Sequence, residues 1–132
     1  MVLAVDTNIV VRLIVNDDEQ QVAAIRKAME TNDFMVPLSV ILETEWVLRS
    51  RYRYGRDRIL TALQAIIALE GIEVEKRQDI EWALARYRYG ADLGDMLHLV
   101  AAGPVDGFLT LDADMKKRAG RNPPVGITML RA

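Results

Sequence analysis

Apolar and polar positions fall along the chain in blocks that suit strands and helices in turn. The run Val2-Leu3-Ala4-Val5 is short enough for a buried strand, and Asp6-Thr7-Asn8 reads as the turn into a helix over 9–14. Asn16 or Asp17 is placed to cap a second helix over 20–29, with Val22, Ile25 and Met29 on one face. Phe34-Met35-Val36 predicts a strand stopped by Pro37, and Ser39 caps a helix over 40–49 that ends near Gly55. Asp57 then caps a helix over 59–69 closed by Gly71, the alternation of 72–75 fits a strand, and Asp79 opens a helix ending at Gly90. The segment 91–102 is a loop entering a helix stopped by Gly103-Pro104. A buried strand over 107–111, a short basic helix over 115–119 and a last strand over 127–130 complete the chain.

Strands alternating with helices predict one α/β domain over 1–132, with a mostly parallel central sheet of about five strands and helices on both faces. The pentapeptide Arg-Tyr-Arg-Tyr-Gly occurs at 51–55 and again at 86–90. It reads as two helix C-termini, with arginines at the negative dipole end and glycine in a left-handed cap.

At 132 residues, 51% hydrophobic and 27% charged, the composition is that of a globular protein with one core. No run of about 18 apolar residues could span a membrane, and Asp6 and Arg12 interrupt the apolar N-terminus before it resembles a signal peptide, so a cytoplasmic location is expected. The absence of cysteine removes disulfides, thiol catalysis and cysteine zinc sites. A net charge of -2 argues against a passive nucleic-acid binder but leaves room for an enzyme with a carboxylate site and separate basic residues. Arg49, Arg51, Arg53, Arg56 and Arg58 cluster with Tyr52 and Tyr54 between them.

On this scaffold Asp6, Glu43, Asp95 and Asp112 all fall where a strand exits toward a helix, the edge at which open α/β sheets bind ligands. Two carboxylates about 4 Å apart repel by roughly 4 kcal/mol at an effective dielectric near 20. A hard divalent cation reverses that sign, and magnesium suits a site built from aspartate, glutamate and threonine. Glu43 has Val40, Trp46 and Val47 around it on the helix, whereas Glu45 has Arg49 at i+4 as an ordinary surface pair, which favours Glu43. Asp92 is placed to cap the helix holding Asp95, and Asp114 to complement the dipole of the helix after it. Each acid alone also reads as a cap or a solvated charge. His98, the single histidine, reads first as a core residue in an apolar run, and Trp46 and Trp82 as core or interface packing.

Val5-Asp6-Thr7-Asn8, Leu42-Glu43-Thr44-x-Trp46-Val47-Leu48, the segment from Gly90 through Asp92-Leu93-Gly94-Asp95 to His98-Leu99, and Leu109-Thr110-Leu111-Asp112 occur in an order and spacing that resemble a PIN-domain ribonuclease. The resemblance is closest to the VapC-type toxins of bacterial type II toxin-antitoxin systems and runs over essentially the whole chain. It implies that Asp6, Glu43, Asp95 and Asp112 hold magnesium or manganese, with Asp6 and Asp95 the most direct ligands. It leaves open whether Asp112 or Asp114 completes the quartet. Thr7, Asn8, Asp92 and Thr110 match positions that support such a site. The implied chemistry is hydrolysis of an RNA phosphodiester by metal-activated water, leaving 5′-phosphate and 3′-hydroxyl ends. Arg49, Arg51, Arg53, Lys116 and Lys117, with Arg118, are candidates for holding the RNA backbone, and the tyrosines for stacking bases. The resemblance also implies a homodimer and a cognate VapB-like antitoxin. Two rival readings are a non-catalytic PIN-like interaction module and a receiver-like signalling domain. The receiver would want paired acids after the first strand and a lysine after the last, and Asp6 stands alone with no lysine beyond Lys117.

Overall fold

The computed structural model describes residues 1–131. Among them the order is β1 (Val2–Ala4), α1 (Thr7–Val15), α2 (Glu19–Met29), β2 (Asp33–Met35), α3 (Leu38–Ser50), α4 (Arg56–Ala68), β3 (Ile72–Glu73), α5 (Arg77–Arg88), α6 (Leu93–Ala101), β4 (Phe108–Thr110), α7 (Met115–Ala119) and β5 (Ile127–Met129). Every strand pair is parallel, as an α/β chain requires, and the five expected strands are present. They are hydrogen-bonded as a three-stranded and a two-stranded sheet. The chain forms two compact units, Met1–Glu75 and a second from Lys76 onward.

In the first unit the sheet order is β1-β2-β3, with Leu3 opposite Phe34 and Phe34 opposite Ile72. Phe34, Ile72, Val10, Leu48, Ile59 and Leu63 are buried and form its core. The expectation that β1 is buried does not hold: Val2 is 58% and Leu3 41% exposed. As an edge strand, β1 has a hydrogen-bonded neighbour on one side only, so apolar composition alone did not secure cover. Arg12 of α1 ties local elements together, donating to Gln21 Oε1 at 2.8 Å, Asp17 Oδ1 at 2.9 Å and the Tyr52 hydroxyl at 3.1 Å.

The starts of α1 to α5 differ from the sequence reading by one to three residues. The caps are Asp6 for α1 and Asp18 for α2, whose side chains accept from Ile9 N and Gln21 N. Pro37, Gly55 and Lys76 begin α3, α4 and α5 without side-chain caps, so Ser39, Asp57 and Asp79 are not caps. Asp57 and Asp79 instead sit in first turns, where the helix dipole favours acid. The two Arg-Tyr-Arg-Tyr-Gly copies also diverge. Gly90 takes the expected left-handed conformation after α5, with φ 99°. At 51–55, however, Arg53 takes positive φ, while Gly55 has φ -74° and begins α4. In the 51–55 copy Tyr52 meets the distant Arg12, and Arg58 lies 3.8 Å over the Tyr54 ring.

The second unit is built on α5 against α6, with Ile80, Ala83, Leu84, Leu93, Met96, Leu99 and Val100 all fully buried. Lys76 Nζ donates to the Val100 carbonyl at 2.9 Å. β4 pairs with β5 alone, placing Leu109 opposite Thr128. Leu109 is 61% and Leu111 71% exposed, so the strand at 107–111 is not the buried one its apolar run predicts. His98 is exposed rather than core, and Trp46 is exposed rather than packed inside. Trp82 is half-buried, with its indole nitrogen enclosed and unpartnered.

Candidate functional site

The acidic residue that the second unit prepares most fully is Asp95. Asp92 is the N-cap of α6, and its Oδ2 accepts from the Asp95 amide at 2.9 Å. A capping box would close if the Asp95 carboxylate reached back to the cap amide, but no such bond forms among the described residues. The helix therefore fixes the Asp95 backbone and leaves its carboxylate uncommitted. Partial burial, then the charges of Asp92 and Asp112, raise the Asp95 pKa, while His98 and Arg118 pull it down. A carboxylate held where its charge is disfavoured is one that a cation would stabilise.

Asp112 follows β4 in a turn that its own side chain organises. Its Oδ1 accepts from the Asp114 amide at 2.9 Å, and its own amide donates to Thr110 Oγ1 at 3.0 Å. Thr110 thus supports Asp112 through the backbone. The second carboxylate oxygen faces Arg118, 3.4 Å away, and Arg118 also lies 3.7 Å from Asp114. The sequence reading grouped Arg118 with RNA contacts and missed this pairing; its i+4 spacing from Asp114 was the available signal. An open cavity of about 460 Å³ is lined by Asp95, His98, Phe108, Leu109, Thr110, Leu111, Met115 and Leu130. Lys116 and Lys117 are exposed on α7.

In the first unit Asp6 is exposed and its Oδ1 accepts from Ile9 N at 3.3 Å, so capping is its observed role. Thr7 is buried and Asn8 exposed at the start of α1. The side-chain environments on α3 are the reverse of the sequence reading. Glu43 faces solvent, whereas Glu45 is 5% exposed and takes Arg49 Nε at 2.9 Å. Arg49 is thereby engaged by a buried carboxylate, while Arg51 and Arg53 are exposed.

Within neither unit do three carboxylates or imidazoles among the described residues converge into a ready-made metal cage. A hard divalent cation takes one or two carboxylates, keeps several waters and prefers oxygen ligands. The uncommitted Asp95 carboxylate and the preorganised Asp112 are such donors. No helix among the described residues is long and apolar enough to cross a membrane.

A family model for the PIN domain matches residues 3–121. No curated protein and no solved structure matches the chain. PIN domains are generally nucleases that bind nucleic acid and use divalent metal ions. With the match spanning nearly its whole length, the chain belongs to the PIN domain family.

Proposed function

We propose that this PIN domain is a divalent-metal-dependent ribonuclease and the toxin of a type II toxin-antitoxin pair. The observation that carries the nuclease reading is the Asp95 carboxylate, fixed through its backbone by Asp92 and otherwise unspent by the fold. The proposed metal-holding acids are Asp6, Glu43, Asp95 and Asp112, and the metal is magnesium or manganese. When bound, the metal supplies a water of lowered pKa and positive charge against the phosphoryl oxygens of the RNA.

The chain's own side chains divide the remaining work. Asp92 and Thr110 hold the backbones of Asp95 and Asp112, so the main chain that carries each carboxylate is already in place. Lys116, Lys117, Arg51 and Arg53 are exposed cations suited to RNA phosphates. Arg49 contributes less, since it answers Glu45. With no histidine pair and no cysteine, metal-activated water is the nucleophile that this residue set best supports. The toxin role, a homodimer, a VapB-like antitoxin and a cytoplasmic location rest on the VapC-like order of the four motifs.

The test is cleavage of labelled single-stranded RNA and structured transfer RNA by purified protein with magnesium or manganese, with EDTA, and beside Asp95→Asn. Metal-dependent cutting that the variant lacks supports the nuclease. Failure of a folded, metal-binding protein to cut any of these RNAs favours a non-catalytic interaction module instead.

A further inference from the structure

Arg118 is held at both ends. Its guanidinium reaches Asp112 Oδ2 at 3.4 Å and Asp114 Oδ2 at 3.7 Å. Its carbonyl accepts from Arg86 Nε at 2.7 Å, which anchors the end of α7 to α5. The anchor depends on Gly120, which caps α7 with φ 69° and ψ -147°, a conformation left to glycine. A Cβ at Gly120 would also lie 2.8 Å from Arg86 Cζ, in the space the guanidinium occupies. The strut and the glycine therefore fix where Arg118 leaves the backbone. Asp112 is equally constrained, because the Asp114 amide holds its Oδ1 and so directs Oδ2 toward Arg118.

We infer that Arg118 is a tethered counter-cation of Asp112, which a divalent metal must displace before Asp112 can serve as a ligand, and that Arg86 and Gly120 hold it in register. The inference rests on the reading of Asp112 as a metal-holding acid. It makes Arg118 a positioning residue that sets metal affinity, a role separate from contact with RNA. With the metal absent, Asp112 is paired; with it present, the guanidinium gives up that oxygen. Loading of the metal and release of Arg118 are then one equilibrium.

The direct test is manganese binding by the full chain, read from loss of the free-ion EPR signal, for wild type, Arg118→Gln, Arg118→Lys, Asp112→Asn and the double variant Asp112→Asn/Arg118→Gln. Both partners are half-exposed, so removing the competitor should tighten manganese roughly two- to fivefold in Arg118→Gln. Arg118→Lys should stay near wild type. In the Asp112→Asn background Arg118→Gln should tighten manganese clearly less than in wild type, because only the weaker charge effect of Arg118 on Asp95 remains there; the difference between the two backgrounds measures competition for Asp112. Equal or weaker binding by Arg118→Gln, or a tightening of the same size in the Asp112→Asn background, overturns the inference while leaving the nuclease reading intact. A wild-type protein that binds no manganese overturns both.

Discussion

Asp92 has two possible uses that substitution can pull apart, because asparagine caps a helix about as well as aspartate but carries no charge. Asp92→Asn keeps an oxygen for the Asp95 amide, now accepted at 2.9 Å, while Asp92→Ala removes both cap and charge. Loss of the cap costs about 1 kcal/mol, within a range of roughly 0.5–2. For a chain of this size that corresponds to a fall in Tm of about 3–5 °C. The charge acts on the metal instead. Asp92 and Asp95 stand three apart at the helix start, a separation of about 6 Å between side chains. At that distance one unit charge in water contributes roughly 1 kcal/mol to holding a divalent cation, or about fivefold in affinity. Thermal unfolding in EDTA should therefore leave Asp92→Asn close to wild type and lower Asp92→Ala, whereas manganese titration should weaken both by a similar factor. Equal destabilisation of the two variants would refute the capping argument, and wild-type manganese affinity in Asp92→Asn would refute the electrostatic one.

Asp95→Asn should abolish metal-dependent cleavage yet flatten the pH dependence of the metal-free protein. The folded state raises the Asp95 pKa, so it binds the proton more tightly than the unfolded chain, and stability falls as pH rises from the ordinary carboxyl range through the raised value. Melting in EDTA between pH 3 and pH 7 reads this out, and an unchanged slope in the variant speaks against it. Glu45→Ala leaves Arg49 without its carboxylate and opens a buried site, with an expected loss of roughly 1–3 kcal/mol in urea unfolding. A neutral result would mean that Glu45 is hydrated in solution. Leu48→Ala, at a wholly buried position, should cost about 2–5 kcal/mol by the same measurement.

The alternation of strands and helices was legible because period and punctuation are local: Gly90, Gly103 and Pro104 stop helices where the sequence places them, and α7 has the predicted span. Burial was less legible. The apolar runs of β1 and β4 look like interior strands, yet each has one hydrogen-bonded neighbour and leaves large side chains uncovered. The Glu43 and Glu45 environments are reversed for a related reason. Sequence neighbours on α3 suggested an apolar surround for Glu43, but the face that α3 buries carries Val40, Ile41, Thr44, Glu45 and Leu48. Asp92 as a cap was legible from spacing, since the interaction spans three residues, whereas Thr110 came forward only through the family resemblance and its bond to the Asp112 amide is seen in the structure alone. The Arg86 strut spans 32 residues in sequence and left no local trace.

Each compact unit contains one of the two tryptophans, Trp46 on α3 and Trp82 on α5. Trp46 is 49% exposed, so its emission lies toward the red and should move little on denaturation. The Trp82 indole nitrogen is enclosed without a hydrogen-bond partner, so its fluorescence should shift strongly when water reaches it. The protein thus carries an intrinsic optical reporter biased toward the half that bears Asp95 and Asp112. With Trp46→Phe, fluorescence follows opening of that half alone, and its shift with manganese concentration separates metal-induced stiffening there from unfolding elsewhere.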